Sequence, residues 1–371
     1  MDLELTEEQQ MIVDMTRSML EEHSPIAVVR EMEDDPKGYP DVLWKQMGEL
    51  GLNGLLIPES HGGGGQTLLE GALVYEELGR AMAPTPHFVS CVMSAGVLLE
   101  AGSEDQKAEW LPRIASGDAI LTPAWLEPER SCGEAGVALA ARAEGDGTVL
   151  SGRKRSVPFA SSATRLVVLA RTEEGVDLFL VDPNAKGVTM KQLLSQGREP
   201  HYQIDFEDVR VSAKDRIGAG GTGWTTWDKV MHRGIILLAA SAIGGADRCL
   251  METVEYAKER VQFDKPLGAF QALAHYMADA STNIEGGRVL VQEAAWNDAQ
   301  GRSIRRFAPM AKLFCCETYR ETTRVCAQIW GGVAFTIEYD QQMFFRRAKH
   351  LQLSWWDTPY LEELIAADVL D

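Results

Sequence analysis

The apolar positions of this chain change period twice. From the start to residue 118 they recur at helical spacing. In "TEEQQMIVDMTRSMLEEH", Thr6 stands as a cap and Met11, Ile12, Met15 and Leu20 share one side. "YPDVLWKQMGELGL" and "TLLEGALVYEELGRAMA" repeat the pattern. Between them, "PESHGGGG" (58–65) breaks the helices. Its glycines read as a flexible surface connector more than as a loop that approaches a ligand. No Gly-Lys-Ser/Thr follows, so it is not a phosphate loop.

Residues 119–217 switch to short β-rich runs. "TRLVVLART" and "VDLFLVDP" are bounded by Gly, Pro, Asp and Glu, and "GTVLSGRKRSVPFA" and "YQIDFEDVRV" alternate. They lie too close together for βαβ units. From Gly223 long helices return. Phe270, Leu273, Met277, Ile284 and Val291 make one stripe; Phe307, Met310, Phe314, Val325 and Ile329 make another. With the helix through 234–262 and the C-terminal "YLEELIAADVL", they predict a four-helix bundle. The expected architecture is mainly α with a middle β domain. An N-terminal helical domain covers 1–118, a central β-barrel-like domain 119–222, and a C-terminal four-helix bundle 223–371. No repeat or low-complexity linker interrupts this order, and no Gly-x-Gly-x-x-Gly follows a strand, so a Rossmann site is not indicated.

Composition narrows the function. The 371 residues carry a formal charge of −19, which argues against nucleic-acid binding. A small anionic ligand needs only a local basic site. Cysteines at 91, 132, 249, 315, 316 and 326 contain no Cys-x-x-Cys. They read as buried reduced thiols, which fits a cytoplasmic address. The histidines have no metal-ligand spacing, so no metal is expected. The acidic "MDLELTEEQQ" is neither a secretory signal nor a transit peptide. "GIILLAASAIGGA" (234–246) is too short and too rich in small residues for a membrane span, and predicts a close-packed buried helix.

"ERVQFDKPLGAFQALAHYMAD" (259–279) carries the most chemistry. Arg260 and Gln262 end a long helix, "FDKPLG" makes a rigid turn, and "AFQALAHYMAD" begins the next helix. Such a turn offers a guanidinium and an amide to phosphate oxygens, with Phe263 available to stack. A plain helix connection accounts for Pro266 and Gly268 but not for the whole string.

Here the chain resembles the acyl-CoA dehydrogenase family. Arg260, Phe263, Pro266, Leu267, Gly268, Phe270, Gln271, His275, Ala278 and Asp279 reproduce one family hallmark. "AQIWGGVAFTIEYDQQMFFRRAK" (327–349) is similar to the family's Gln-x-x-Gly-Gly-x-Gly-Phe stretch and the Arg that follows. "LTEEQQMIVDMTRSMLEE" and "FEDVRV" with "GGTGW" match more weakly. The resemblance covers nearly the whole chain and repeats the helical, β, helical order.

It implies a flavoprotein that oxidises acyl-CoA thioesters to 2,3-enoyl-CoA, in fatty acid or steroid catabolism, with electron-transfer flavoprotein as acceptor. A base removes the α-proton, the β-hydrogen leaves as hydride to flavin N5, and protein groups polarise the thioester carbonyl. It also implies FAD at a subunit interface. The partners expected are therefore a homo-oligomer, dimer or tetramer, or a heterotetramer with a homologous subunit; no nucleic acid and no membrane. Arg260, Gln262, Phe263, Gln271, Gln328, Gly331 and Gly332 match contacts to a neighbour's FAD. Trp330 stands for a smaller or imidazole side chain, and Ala334 for a Gly.

The ring-facing side departs further. In "WLEPERSCGEAG", Glu127 and Pro128 match, Leu126 stands for Thr, and Cys132 for a pyrophosphate-binding Ser. Ser156 replaces a Trp beside the flavin, and Pro158 a Thr that addresses N5. Backbone groups around Leu126 and Val157 are left to hold the ring.

The base departs most. In "SWWDTP", Trp356 aligns with the family's Glu and Asp357 with the Gly after it. The alternative family position, on the first bundle helix, falls on Gly234, preceded by His232 and Arg233. Asp357 is the only carboxylate within one residue of a family base position, and two Trp neighbours would keep water from it. The plain reading is a helix start, with Thr358 as cap and Pro359 at the first helical position. His232 is the other candidate base, set against an ordinary solvent-facing histidine. Three functions stay open: an acyl-CoA dehydrogenase using Asp357, a non-catalytic partner subunit of a heteromeric dehydrogenase, and a flavin monooxygenase or oxidase on the same fold. The pocket floor is expected around 82–92 and 224–231, with Arg233 as a candidate CoA contact or plain surface charge. The altered base loop suggests a polycyclic or branched acyl group.

Overall fold

Thr6 starts the first helix with a capping box: its hydroxyl accepts from Gln9 N at 3.2 Å, and Gln9 Oε1 accepts from Thr6 N at 3.1 Å. The computed structural model describes residues 4–370. Six helices come first: α1 (Glu7–His23), α2 (Ile26–Met32), α3 (Asp41–Glu49), α4 (Leu68–Arg80), α5 (Ala95–Ala101) and α6 (Glu104–Ser116). Eight strands follow: β1 (Leu121–Ala124), β2 (Ala140–Glu144), β3 (Gly147–Pro158), β4 (Arg165–Arg171), β5 (Val176–Val181), β6 (Val188–Leu193), β7 (His201–Ser212) and β8 (Arg216–Ile217). Then come α7 (Gly223–Glu259), a hairpin of β9 (Val261–Gln262) and β10 (Lys265–Pro266), α8 (Gln271–Ala299), α9 (Phe307–Trp330), α10 (Gln341–Leu353) and α11 (Thr358–Leu370). The molecule is mainly α with a central β sheet and C-terminal helices.

Contacts group the chain into two units that cut across this order. One, the bundle unit, holds the chain up to Arg30, Thr67–Ala83, and everything from Ile235 onward. The other, the sheet unit, holds Glu31–Gln66 and Pro84–Gly234.

In the bundle unit, α8, α10 and α11 pack against α9, and α4 packs against α1 and α8. Two glycines let α4 and α7 meet backbone to backbone. A Cβ on Gly79 would lie 2.0 Å from Ser241 O, and one on Gly244 1.8 Å from Glu76 O. Arg17 pairs with Glu77 and Arg288 with Glu76, at 2.6 and 2.8 Å, tying α1 and α8 to α4. Three expectations change here. α1 buries Val13, Thr16, Met19 and Leu20, whereas Met11 is 69% exposed. α9 turns Phe314 outward and buries Ala308, Ala311, Lys312, Cys315, Tyr319 and Cys326, because small residues allow close helix approach. The bundle also gains α10, which packs along α9 and which the apolar stripes had not marked as a bundle helix.

In the sheet unit the strand order is β6-β7-β3-β2-β4-β5-β8, with β1 beside β4. Pairing is antiparallel except for β1 with β4 and β2 with β4. Among the described residues β6 and β8 have no second neighbour, so hydrogen bonds do not close a barrel. Leu150, Leu166, Phe179, Tyr202, Ile204 and Phe206 nevertheless share one core, so the open sheet curls around it. The Gly-rich stretch is fastened rather than loose. Gly64 N donates to Gly54 O at 2.9 Å and Gly65 N to Ile57 O at 2.8 Å. A Cβ on Gly63 would lie 2.0 Å from Ile57 O.

The apolar run from 234 lies inside α7, a helix of 37 residues that is long enough to cross a membrane. Its most apolar window is 78% buried within the fold, which makes it a core helix here. None of the six cysteines is in a disulfide, and all but Cys132 are buried.

Candidate active site

At one end of the bundle unit, the end of α7 runs into the β9–β10 hairpin. Leu267 N donates to Arg260 O at 2.8 Å, and Lys265 pairs with Gln262. That leaves Phe263 and Asp264 as the loop, with φ of 53° and 63°. Both sit in the left-handed region, which Asn-Gly fills most easily, at a cost of roughly 1 kcal/mol or more for each side chain. Phe263 on this loop is 86% exposed, edge-on to Phe270 at 6.2 Å between ring centres.

Beneath the hairpin, Ala257 of α7, Val325 and Ile329 of α9, and Leu267, Leu273 and Met277 share one small core. It brings the end of α9 to the hairpin. Arg260, Gln262, Phe263, Gln271, Gln328, Gly331 and Gly332 are thus gathered at one end of the bundle, all exposed. Gly331 takes φ 69° and ψ −146°, a conformation essentially confined to glycine. A Cβ on Gly331 or Gly332 would meet nothing within 4 Å. Trp330 stacks on Tyr256 at 3.9 Å and donates from Nε1 to Thr253 Oγ1 at 3.0 Å, so its ring is turned onto α7. It borders a cleft of about 460 Å³ together with Arg80, Arg248 and Glu252. Ala334 is 1% exposed and faces inward, so its methyl does not narrow the open glycine backbone. A guanidinium, amides and bare backbone on one surface suit a phosphate-bearing ligand.

In the sheet unit, the segment after β1 is clamped to β3. Lys154 Nζ donates to Glu127 Oε1 at 2.7 Å and to Trp125 O at 3.2 Å. The same carboxylate oxygen accepts from Ala138 N at 2.9 Å and Leu139 N at 2.8 Å. Arg155 N donates to Leu126 O at 2.9 Å. Burial pushes the Lys154 ammonium down to about 8, against the pull of Glu127. Leu126 and Cys132 are half-buried beside this clamp. Val157 is 1% exposed with its side chain in the β core, so only its backbone is available to a ligand. A bulge between Lys154 and Val157, with Ser156 at φ 51°, bends β3 at this point.

The turn between α10 and α11 carries Asp357. Trp355 and Trp356 take φ of 53° and 70°, two successive left-handed residues without a glycine. Trp356 is fully buried and Asp357 half-buried. Asp357 Oδ1 accepts from Tyr360 N at 3.2 Å, and its carbonyl accepts from Leu361 N at 3.0 Å. The cap is therefore Asp357 and not Thr358, which is already helical and accepts from Gln352 Nε2 at 3.2 Å. From α9, the buried Lys312 Nζ donates to the carbonyls of Leu351, Ser354 and Trp356 at 3.3, 2.9 and 2.8 Å. Sequence reasoning passed over Lys312 and the Lys154–Glu127 pair. The signal for Lys312 was a lone charge on the small-residue face of α9.

The other base positions lie in the sheet unit. His232 is 4% exposed, not solvent-facing, with Nδ1 2.8 Å from Asp228 O. At Gly234 a Cβ would lie 2.6 Å from Met93 Sδ and 3.3 Å from the Phe88 ring, so that space is filled.

Comparison with known proteins agrees along the chain. Residues 6–118 match the family model described as acyl-CoA dehydrogenase, N-terminal domain, and 221–355 match acyl-CoA dehydrogenase, C-terminal domain. The chain is 32% identical over 381 aligned positions to "Probable acyl-CoA dehydrogenase YngJ" of Bacillus subtilis (strain 168), covering 100% of both. Among solved structures it is similar to butyryl-CoA dehydrogenase from Megasphaera elsdenii, with a TM-score of 0.91 and 27% identity over 100% of both chains. It is also similar to a chain of the ChsE4-ChsE5 complex from Mycobacterium tuberculosis, with a TM-score of 0.92 and 26% identity over 100% of this chain and 99% of that one.

Proposed function

The chain belongs to the acyl-CoA dehydrogenase family, and from that premise we propose that it desaturates an acyl-CoA thioester between its α and β carbons, with Asp357 as the base. The observation that carries the base assignment is the placement of Asp357. It is a half-buried carboxylate directly after the fully buried Trp356, on a strained turn tied down from α9. At that position it takes the α-proton of the thioester, and the electron pair left on the α carbon forms the new double bond as the β-hydrogen leaves with its own pair. FAD, when bound, supplies the two-electron sink that accepts this β-hydrogen as hydride.

The exposed surface of Arg260, Gln262, Phe263, Gln271, Gln328, Gly331 and Gly332 fits the phosphate and adenosine side of a FAD held by a neighbouring chain. The open space over Gly331 and Gly332 supports that fit. Leu126, Cys132 and the Val157 backbone form the ring side, fixed by the Lys154–Glu127 clamp. This division makes the protein an oligomer in which each chain lends one half of a cofactor site. Electron-transfer flavoprotein is the proposed acceptor, and cysteines kept out of disulfides support a cytoplasmic address.

The test is an anaerobic titration of the purified protein with butyryl-CoA, isobutyryl-CoA and octanoyl-CoA, following flavin absorbance. The expected result is near-stoichiometric FAD bleached by at least one thioester, with bleaching lost in Asp357→Asn. Flavin that none of them reduces would instead assign the chain as the partner subunit of a heteromeric enzyme.

A further inference from the structure

We infer that Lys312 is a positioning residue: it fixes the turn that carries Asp357, and through that turn the direction of the carboxylate. The inference rests on the reading of Asp357 as base.

An ammonium has three N–H donors and no acceptor. Lys312 Nζ meets three carbonyl oxygens, of Leu351, Ser354 and Trp356, at 3.3, 2.9 and 2.8 Å. The residue is 0% exposed, on the small-residue face of α9 between Ala311 and Cys315. A buried charge persists only where polar groups compensate its desolvation, and here backbone dipoles supply them.

The choice of carbonyls separates this role from a helix cap. Only Leu351 lies within α10; Ser354 and Trp356 lie beyond its end. Two of the three bonds are therefore spent on the turn, and the shortest holds the peptide that leads directly into Asp357. The turn needs such a tether. Trp355 and Trp356 both hold left-handed φ, and residues in that region persist only when their surroundings over-determine them. Downstream, Asp357 Oδ1 is bound to Tyr360 N and Thr358 Oγ1 to Gln352 Nε2. Lys312 thus fixes the entry to Asp357, and the first turn of α11 fixes its exit. A point charge suits three converging acceptors; the planar fork of arginine does not.

The experiment compares flavin-loaded wild type with Lys312→Met, Lys312→Arg, Asp357→Asn and the double variant Lys312→Met/Asp357→Asn. The probes are butyryl-CoA, isobutyryl-CoA and octanoyl-CoA. Amide hydrogen exchange reads the turn without turnover. In Lys312→Met, exchange across 351–360 should rise while the rest of the chain keeps its protection. Flavin reduction should slow by about 10²-fold, the order expected for a base displaced by about 1 Å. Thioester affinity and flavin content should stay at wild-type values. Lys312→Arg should fall between Met and wild type. The double variant should be no slower than Asp357→Asn alone, because the two residues act as one unit.

Unchanged exchange over 351–360 overturns the inference. So does a rate loss matched by equal losses of affinity and flavin, or a double variant whose losses multiply. If Lys312→Met does not fold, Lys312→Arg decides alone: wild-type exchange and rate would sink the idea. Asp357→Asn with wild-type reduction shows instead that the base reading has failed. Asp357→Asn inactive beside a fully active Lys312→Met shows that only the Lys312 inference has.

Discussion

Lys154 and Glu127 form an ion pair at 2.7 Å with the ammonium fully buried and the carboxylate 7% exposed. One carboxylate oxygen serves the ammonium and two backbone N–H groups, so the pair joins β3, the segment after β1, and the residues leading into β2. Removing one partner strands the other. Lys154→Met should therefore destabilise the protein by roughly 3 kcal/mol, the lower end for a broken buried pair, because the backbone donors still hold Glu127. Urea unfolding measures the loss. Lys154 Nζ also anchors Trp125 O, beside the Leu126 peptide, so flavin retention should fall at temperatures where the variant is still folded. Wild-type stability and flavin content in Lys154→Met would remove the clamp from the account.

His87 gives the pH prediction. Its ring is 3% exposed, with Nε2 3.0 Å from Leu52 O, and burial pushes its pKa down to about 4. The unfolded chain binds the proton nearer 6.5. Between these values the unfolded state holds more protons, so stability rises with pH. The contribution is complete above about 6.5 and is lost as pH falls through about 4. Wild type should lose about 3 kcal/mol more than His87→Gln between pH 6.5 and 4, the size of the pKa difference. Melting curves of both proteins across that range decide it; parallel curves would show that His87 does not titrate as described.

The sequence made the periods legible and the registers less so. The capping box at Thr6 and the helical, β, helical order follow from local spacing. Met11 and Phe314 are apolar yet exposed, and Lys312 is charged yet buried, because helix faces are chosen by what packs against them. Close approach of helices favours Ala, Cys and Thr, which a hydrophobic stripe underweights. The exposed surface from Arg260 to Gln271 was readable as a unit, since its residues are neighbours along the chain. The clamp was not: Glu127 lies in the segment after β1 and Lys154 on β3, and only the fold of the sheet unit brings them together. The Asp357 turn was half legible. Local chemistry announced a helix start, but the cap went to the carboxylate and not to Thr358.

The hairpin at Phe263 and Asp264 trades stability for display. Both residues are left-handed, and Phe263 stands 86% exposed. Phe263→Asn with Asp264→Gly installs residues that prefer this loop. The double variant should be more stable by about 1–2 kcal/mol from released strain. With Phe263 as the proposed FAD contact, it should also bind FAD more weakly, because that ring is gone. Melting temperature and the flavin-to-protein absorbance ratio read the two effects separately. Higher stability with full flavin content would mean that the exposed ring faces something other than the cofactor.

Asp357 is a helix cap by its geometry and a base by our proposal, and substitution separates the two. As a helix cap it offers one oxygen to Tyr360 N. Asparagine offers the same oxygen and caps as well as aspartate, whereas alanine loses about 1 kcal/mol. As a base it must accept a proton, which neither asparagine nor alanine does. Asp357→Asn should therefore match wild type in urea unfolding and fail to bleach its flavin with acyl-CoA. Asp357→Ala should be less stable by about 1 kcal/mol and equally inactive. Asp357→Glu keeps the proton acceptor one methylene further out, so it should retain part of the activity while capping less well. Activity that followed stability, with asparagine active and alanine impaired, would leave Asp357 as a cap alone. Activity that followed the carboxylate, whatever the stability, makes it the base.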